Sequence, residues 1–313
     1  MKYDNVLVFG PTGGVGSAAA LYAHSLGAKV WLAMRDTDKA ISGLTPEQEQ
    51  NSPGAFMRVQ ADLLDATSVA NAVRQSGAKA VFTYASRDAS AMQLAAKAMK
   101  DAGLEYVVLL SSSSLQRVGD LRAVERTDFI PFIHAQAELA MEDAGLALTA
   151  VRPGYFASNP VNNELDRSQS PARVRLFRAR ENLFDPVDPE DIGRVCGSVL
   201  VTRPSQGQKE LVYVQGPEIM SNNDIWKTIV EVTGENIDIQ HVDKENYVQS
   251  MATKMPMPLA QYLAGLQEQD GERYDLALLA QTRGNVKKYT GREPAVFADY
   301  VARHKDDFKS LKK

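Results

Sequence analysis

The sequence is poor in the residues that disulfide frameworks and metal sites require. Among its 313 residues it has a single cysteine, Cys196, which excludes an internal disulfide and is typical of a reducing compartment. The histidines form no closely spaced pair; they are His24, His134, His241 and His304. We therefore expect no metal site.

Long apolar stretches and an excess of positive charge are also lacking. The formal net charge is −4, which argues against a general nucleic-acid binder. No segment has the uninterrupted apolar length of a membrane span. Asp4 and Asn5 lead directly into the first apolar run, so we expect no secretory signal. These features predict a cytoplasmic protein with a small-molecule substrate, and they leave its oligomeric state open.

What the sequence does contain is a glycine-rich turn between an apolar run and a helical one. The run Val6 to Phe9 predicts a buried strand, and the turn after it contains Gly10, Thr12, Gly13, Gly14, Val15 and Gly16. Glycines there permit a tight turn, close approach of a pyrophosphate and close packing of helix on strand. The N–H groups at the start of the following helix attract phosphates. The pattern predicts dinucleotide binding, although glycines before a helix can also serve only the turn.

The residue after the second strand indicates which dinucleotide binds. The run Lys29 to Met34 predicts that strand, and Arg35 follows it, where an NAD-binding protein has an acidic residue. An arginine there suits the 2′-phosphate of NADP(H), and Lys39 adds a second positive charge. The neighbouring Asp36 is acidic and would favour NAD instead. Arg35 could also be a solvated surface residue that binds no cofactor. We predict NADP(H) as the cofactor.

Strand and helix signals alternate through the first half of the chain. This alternation predicts an α/β fold, a Rossmann doubly wound parallel sheet with helices on both faces. Ligands of such sheets bind beyond the carboxyl ends of the strands. The residues that this rule places on the cofactor side are Asp62, Leu63, Ala85 and Ser111.

Three segments supply candidates for catalysis. Ser112 belongs to a serine run after the fifth strand, where it either binds a carbonyl group or makes an ordinary turn. His134 lies one helical turn before Glu138, on the same face of the predicted helix. A histidine there is suited to proton transfer. Alternatively, the two residues only pack the helix against the sheet. Tyr155 and Asn159 follow the sixth strand, in a loop that must pass near the cofactor.

Beyond Asn159 the chain changes character. Residues 161–180 are polar and rich in arginine, which fits either a flap over the substrate or a solvated excursion. Further on, an apolar set around Met251 and Met255 either packs a core or faces a ligand. We predict an NADP-binding Rossmann domain and a small, mostly helical C-terminal substrate lobe. The Rossmann domain comprises residues 1–155 with returning segments at about 186–216. The substrate lobe comprises residues 156–185 and 217–313.

The chain resembles the NmrA-like branch of the atypical short-chain dehydrogenases/reductases. The matching segments span nearly the whole sequence; they are residues 10–16, Arg35, residues 61–63, His134 with Glu138, and residues 145–159, 186–193 and 291–300. The resemblance implies a Rossmann fold and an NADP(H) site. It also implies that His134 contacts the nicotinamide ribose or the substrate, because a lysine does so at this position in the wider family.

One departure from that wider family concerns the proton donor. The register set by Glu138 puts Ile130 where short-chain dehydrogenases have a catalytic tyrosine, so the proton must come from His134, a serine of 111–113, Tyr155 or water. Three functions stay open: hydride transfer between NADP(H) and a small carbonyl, imine or unsaturated substrate, possibly one of a natural-product pathway; non-redox acid–base cyclisation or rearrangement of a natural-product intermediate; and non-catalytic NADP(H) sensing.

Overall fold

The structure, a computed structural model, describes residues 1–51, 54–268 and 276–311. The chain divides into two compact units. The first unit consists of residues 1–153, 189–214 and 284–293, and the second of residues 154–188, 215–283 and 294–313.

The strands and helices are numbered in chain order. The strands are β1 (Asn5–Phe9), β2 (Lys29–Met34), β3 (Phe56–Gln60), β4 (Ala80–Tyr84), β5 (Tyr106–Leu110), β6 (Ala147–Pro153), β7 (Ala172–Leu176), β8 (Leu183–Phe184), β9 (Lys209–Val214), β10 (Met220–Ser221) and β11 (Ile237–His241). The α-helices are α1 (Gly14–Ser25), α2 (Pro46–Asn51), α3 (Ala66–Ser76), α4 (Ala89–Asp101), α5 (Phe129–Asp143), α6 (Pro189–Val201), α7 (Asn222–Thr233), α8 (Lys244–Ala252), α9 (Met257–Glu268), α10 (Leu276–Thr282), α11 (Asn285–Thr290) and α12 (Phe297–Arg303). Single helical turns lie at Ser113–Leu115, Leu121–Ala123, Pro160–Glu164 and Lys305–Phe308.

The first unit is built on one parallel sheet. Its strand order is β3-β2-β1-β4-β5-β6-β9, and every neighbouring pair is parallel. The order reverses between β1 and β4, which is the switch point where ligands of doubly wound sheets bind. Because helices cover both faces, the strands are near-continuous apolar runs, as in Val6 to Phe9. The predicted Rossmann fold is confirmed.

Local sequence accounts for where several helices begin and end. The Asp65 carboxylate accepts hydrogen bonds from the first-turn N–H groups of α3, and Gly77 ends that helix at φ 62°. Ser221 caps α7 by accepting a hydrogen bond from the N–H of Asp224, as its position predicts. The segment 42–54, which reads as a loop in the sequence, contains α2.

The second unit has its own cores. One surrounds Trp226 of α7 with apolar residues of β7, β11 and α12, and another joins α8 to α9 around Met251, which is therefore a packing residue. The arginine-rich segment 161–180 contains β7, which pairs in parallel with β11, and Arg173 on β7 forms an ion pair with Asp238 at 2.7 Å. In the described part of the chain, no helix has the length and apolar character to cross a membrane.

Candidate cofactor and active site

Two glycines of the turn after β1 are required by the fold itself. Gly10 has φ +67°, and a Cβ there would lie 2.7 Å from the ring of Tyr84. A Cβ on Gly16 would lie 2.2 Å from the carbonyl oxygen of Gly10, so only glycine lets α1 pack this closely on the turn. Both positions are explained without a ligand.

The other two glycines have no such explanation. Gly13 and Gly14 are exposed, and a Cβ on either would meet its nearest atom at 3.6 Å, an ordinary contact. Within the described residues, the start of α1 has no side-chain cap and no acidic residue in its first turn. Its N–H groups and positive dipole end are therefore left to an anion. This cradle fits a pyrophosphate.

A cleft of about 210 Å³ lies at the carboxyl ends of β1 to β4. It brings together predicted cofactor residues from three separate segments: Gly10, Thr12, Arg35, Asp62 and Leu63. Val15 is buried in the first turn of α1 and does not line this cleft. The cleft is also lined by Tyr84 and Ser86, which sequence reasoning missed, whereas Ala85 between them packs against the core. The strand-end rule locates this segment, but it does not say which of three successive side chains faces the ligand.

The loop after β2, which carries Arg35 of the cleft and Lys39 outside its lining, is held in place by a residue of β3. Arg35 and Lys39 are both exposed after β2. Arg58 donates hydrogen bonds to the carbonyl oxygens of Thr37 and Lys39, at 2.5 and 2.9 Å, and forms a two-bonded ion pair with Glu49. This clamp, which sequence reasoning missed, fixes the path of the loop that carries both cations. Its signal in the sequence is the one charged residue of the strand Phe56–Gln60.

Asp36, the acidic residue that would favour NAD, hydrogen-bonds within its own loop. Its carboxylate accepts a hydrogen bond of 3.0 Å from the N–H of Asp38. Such a turn orients the carboxylate toward its own backbone. Arg35 is therefore the residue of this pair that lines the cleft.

A buried ion pair lies behind the ends of β5 and β6. Glu138 of α5 is fully buried and receives two hydrogen bonds from Arg152, at 2.9 and 2.8 Å. Ser111, predicted as a cofactor residue, donates to the same carboxylate at 2.6 Å, and the ammonium group of Lys209 lies 2.9 Å away. Burial alone would raise the pKa of Glu138, but these partners hold it below its ordinary value. Glu138 thus serves packing and does not orient His134.

His134 lies one turn earlier on α5 and is half-buried. Its Nδ1 atom is inaccessible to solvent and has no hydrogen-bond partner among the described residues. Burial lowers the pKa of His134 to about 4, against the attraction of the Glu138 carboxylate. The imidazole is therefore neutral near pH 7 and can exchange hydrogen bonds with a hydroxyl group.

Ser112 takes part in an ordinary turn. Its hydroxyl accepts a hydrogen bond of 3.1 Å from the N–H of Ser114, at the start of a single helical turn. This geometry agrees with the interpretation of the serine run as a turn, in which the side chain hydrogen-bonds to the neighbouring backbone. Ser112 as a whole is half-buried.

Tyr155 belongs to the second unit and is held on several sides. Its N–H donates to the Asp185 carboxylate at 3.0 Å, and its carbonyl oxygen accepts from the N–H of Val187 at 2.8 Å. Its ring packs on Phe184 with centroids 4.3 Å apart. The same unit contains Glu164, a residue that sequence reasoning missed.

Glu164 ends the helical turn that follows Asn159. Asn159 is half-buried, and its N–H donates to the carbonyl oxygen of Phe156 at 2.9 Å. Glu164 is 7% exposed, and its carboxylate accepts a hydrogen bond of 2.7 Å from the indole of Trp226. Burial raises its pKa to about 7. A glutamate in a polar segment of sequence gives no signal of such burial.

Comparisons with known proteins identify the family of the chain. The sequence model of the NmrA-like family matches residues 2–285. The nitrogen metabolite regulation-like protein bik4 of Gibberella fujikuroi is 38% identical over 96% of this chain and 96% of its own length. A (4-alkanoyl-5-oxo-2,5-dihydrofuran-3-yl)methyl phosphate reductase of Streptomyces griseus is 25% identical over 97% of this chain and 99% of its length.

A solved structure shares the fold. The NADPH-dependent quinone oxidoreductase QOR2 of Escherichia coli, complexed with NADPH, has a TM-score of 0.68 at 15% identity and covers 96% of this chain and 99% of its own. At this identity the similarity shows the fold alone. The family match and the fungal relative carry the assignment, and they confirm the resemblance: this chain belongs to the NmrA-like family.

Proposed function

We propose that the chain is an NADP(H)-dependent oxidoreductase that acts on a small carbonyl, imine or unsaturated substrate. The observation that carries the proposal is the uncapped start of α1 beside a cleft that contains Arg35 and Asp62. Gly13 and Gly14 would hold the pyrophosphate, and Arg35 with Lys39 the 2′-phosphate. When bound, NADP(H) supplies a hydride. Two proteins similar to this chain are named as a reductase and a quinone oxidoreductase, which supports this class.

The chain's own residues must supply the remaining chemistry. Ile130 has no hydroxyl at the position of the usual catalytic tyrosine. Neutral His134 suits a hydrogen bond to a ribose hydroxyl or to the substrate, and Tyr155 has a half-buried phenol group in the loop that follows β6. We infer that Tyr155 donates the proton and that His134 positions the ligand.

A cofactor titration tests the first part of this proposal. Wild type should bind NADPH more tightly than NADH. Arg35→Ala should lose roughly tenfold to a hundredfold of the NADPH affinity, because charge-assisted hydrogen bonds contribute about 1.5–3 kcal/mol. Its NADH affinity should hardly change. Arg74→Ala, which removes an exposed arginine on α3, is the matched control. Equal affinities of wild type for the two cofactors would contradict the proposal.

Turnover tests the second part. A soluble quinone, an iminium compound and an alkanoyl-dihydrofuranone phosphate are offered with NADPH, and the reduced-nicotinamide absorbance is followed. Loss of absorbance with formation of reduced product is the expected result. Formation of a product at constant absorbance would instead indicate non-redox use of the cofactor site.

A second candidate function is NADP(H) sensing without catalysis. The relative that is 38% identical is named a nitrogen metabolite regulation-like protein, and this name favours regulation. A sensor should bind NADPH with the same dependence on Arg35 but turn over none of the probes. Binding without turnover, together with a protein partner captured only in the presence of NADPH, would favour this candidate.

A further inference from the structure

The loop 35–39, which follows β2, has a backbone that is held on both sides of Arg35. The carbonyl oxygen of Met34, just before Arg35, accepts a hydrogen bond of 2.9 Å from the N–H of Ala61 after β3. Beyond Arg35, the carbonyl oxygen of Thr37 accepts a hydrogen bond of 2.5 Å from the guanidinium group of Arg58. The path of the chain through Arg35 is therefore set by β3 and by the residue that follows this strand.

The side chain of Arg35 is not engaged in the same way. Its guanidinium group forms no hydrogen bond or ion pair with any residue that the structure describes, it is exposed, and it lines the cleft. Arg35 thus combines a fixed backbone with a guanidinium group that is available to a ligand. An anion can bind such a group without first ordering the chain that carries it.

Arg58 directs its donors at the chain and not at the cleft. It lies on the edge strand β3, opposite Leu32 of β2, and it is not among the described residues that line the cleft. Its Nη1 atom donates to the carbonyl oxygens of Thr37 and Lys39, while Nε and Nη2 donate to the two carboxylate oxygens of Glu49 at 2.9 and 2.7 Å. A planar guanidinium group can make both sets of bonds at once, whereas a lysine ammonium group cannot match this geometry.

The Glu49 carboxylate is itself positioned by the short helix α2. The N–H of Thr45 donates to the side-chain oxygen of Gln48 at 2.8 Å, and the N–H of Gln48 donates to the Thr45 hydroxyl at 3.2 Å. This reciprocal capping box fixes the first turn of α2, from which Glu49 reaches Arg58 on β3. The side chain of Glu49 is 19% exposed and that of Arg58 25%, so the pair is largely shielded from solvent.

We propose that Arg58 is a positioning residue for cofactor specificity: paired with Glu49, it holds the loop 35–39 in the shape that receives the 2′-phosphate of NADP(H). It acts through the backbone of the loop and does not contact the phosphate. Because the loop is ordered before the cofactor arrives, binding loses little conformational entropy there. The inference rests on the proposed use of NADP(H) at this cleft.

The competing explanation is that Arg58 only fastens the segment between β2 and β3 to the sheet. A purely structural residue would affect stability and would weaken the binding of both cofactors alike. A positioning residue must lower the preference for NADPH over NADH, and its effect must disappear when the cations of the loop are removed. The ratio of the two dissociation constants separates these explanations, and measuring it requires no turnover.

The main test is Arg58→Lys, which keeps the positive charge and loses the planar fork. We expect the preference for NADPH over NADH, measured by calorimetric titration with both cofactors, to fall about fivefold to tenfold, because about one residue must then be ordered on binding. The NADH affinity should hardly change. Arg122→Lys makes the same exchange in an arginine of the same unit that pairs with Asp143, and this matched control should keep the wild-type preference.

Glu49→Ala tests the sign of the effect and also serves if Arg58→Lys does not fold. Removing a negative charge near the loop would by itself strengthen the binding of an anion, whereas loosening Arg58 should weaken it. We expect a lower preference for NADPH. In a background with Arg35→Ala and Lys39→Ala, Arg58→Lys should leave the preference unchanged, because the side chains that it positions are gone.

Three results would overturn the positioning role. They are an unchanged preference in Arg58→Lys, a preference in Glu49→Ala that is unchanged or higher, and an equal loss in the background that lacks both cations. Equal affinity of wild type for NADPH and NADH would overturn it together with the proposed cofactor site. A preference that depends on Arg58, with no turnover of any probe substrate, would support the positioning role and refute the oxidoreductase.

Discussion

Among the described residues, each unit of the chain buries one glutamate, and the pKa values of the two are shifted in opposite directions. Glu138 has no exposed surface and Glu164 only 7%. Glu138 accepts two hydrogen bonds from Arg152 and has its pKa lowered, whereas Glu164 accepts hydrogen bonds from an indole and an amide and has its pKa raised to about 7. Burial penalises both carboxylates alike, so the difference lies in whether a cation contacts them directly.

This difference suggests different roles for the two sites. A carboxylate fixed in one charge state by a guanidinium group is a structural support, and here it joins α5 to β6. A carboxyl whose two forms are nearly equal in free energy can exchange protons at neutral pH. Mutations of Arg152, of Glu164 and of His134 should therefore differ in whether they change stability, its pH dependence or turnover, and by how much.

The largest effect should follow from removing the cation beside Glu138. Arg152→Ala leaves the buried carboxylate with the more exposed ammonium group of Lys209 as its nearest cation, and breaking a buried pair costs about 3–5 kcal/mol. We expect this loss in the free energy of unfolding, measured by urea titration with circular dichroism. Arg122→Ala breaks an exposed ion pair of the same unit, with Asp143, and should cost less than about 1 kcal/mol. Similar losses in the two variants would show that the buried pair is not special.

The next effect concerns stability against pH and tests the other glutamate. The folded pKa of Glu164 lies above its unfolded value, so the folded state binds the additional proton. Its contribution to stability should be complete below about pH 4.5 and decline as pH rises to about 7, by about 3 kcal/mol in total. Glu164→Gln should lack this decline, and Glu231→Gln, at an exposed site of the same unit, should retain it. Parallel curves for all three proteins would mean that Glu164 is charged at both ends of the range.

The comparison also separates what sequence can predict from what it cannot. The glycine turn and Arg35 were predictable because their chemistry depends on neighbours within one strand–turn–helix segment. The state of Glu138 depends on Arg152, 14 residues away, and that of Glu164 on Trp226, 62 residues away. Neither contact leaves a periodic pattern, so the sequence did not indicate that Glu164 is buried.

The smallest effect is expected for His134→Ala, which tests whether the first unit also contains a reactive group. His134 lies one turn from Glu138, yet its Nδ1 is without a partner among the described residues and its pKa is about 4. An imidazole that stays neutral above about pH 5 cannot act as a cationic acid there, but it can hold a hydroxyl group of the ligand. His134→Ala should therefore lower turnover at least about tenfold, or about 1.4 kcal/mol in the barrier.

The pH dependence identifies the reason for that loss. With whichever probe substrate is reduced, the rate of wild type should show no ionisation of His134 above about pH 5. The His134→Ala variant should keep the shape of the wild-type profile at a lower rate, because a neutral imidazole contributes no ionisation in this pH range. Ile130→Val, one turn earlier on α5, should change little. If His134→Ala retains full activity and cofactor affinity, His134 is structural like Glu138, and the reactive groups of this chain lie in the second unit.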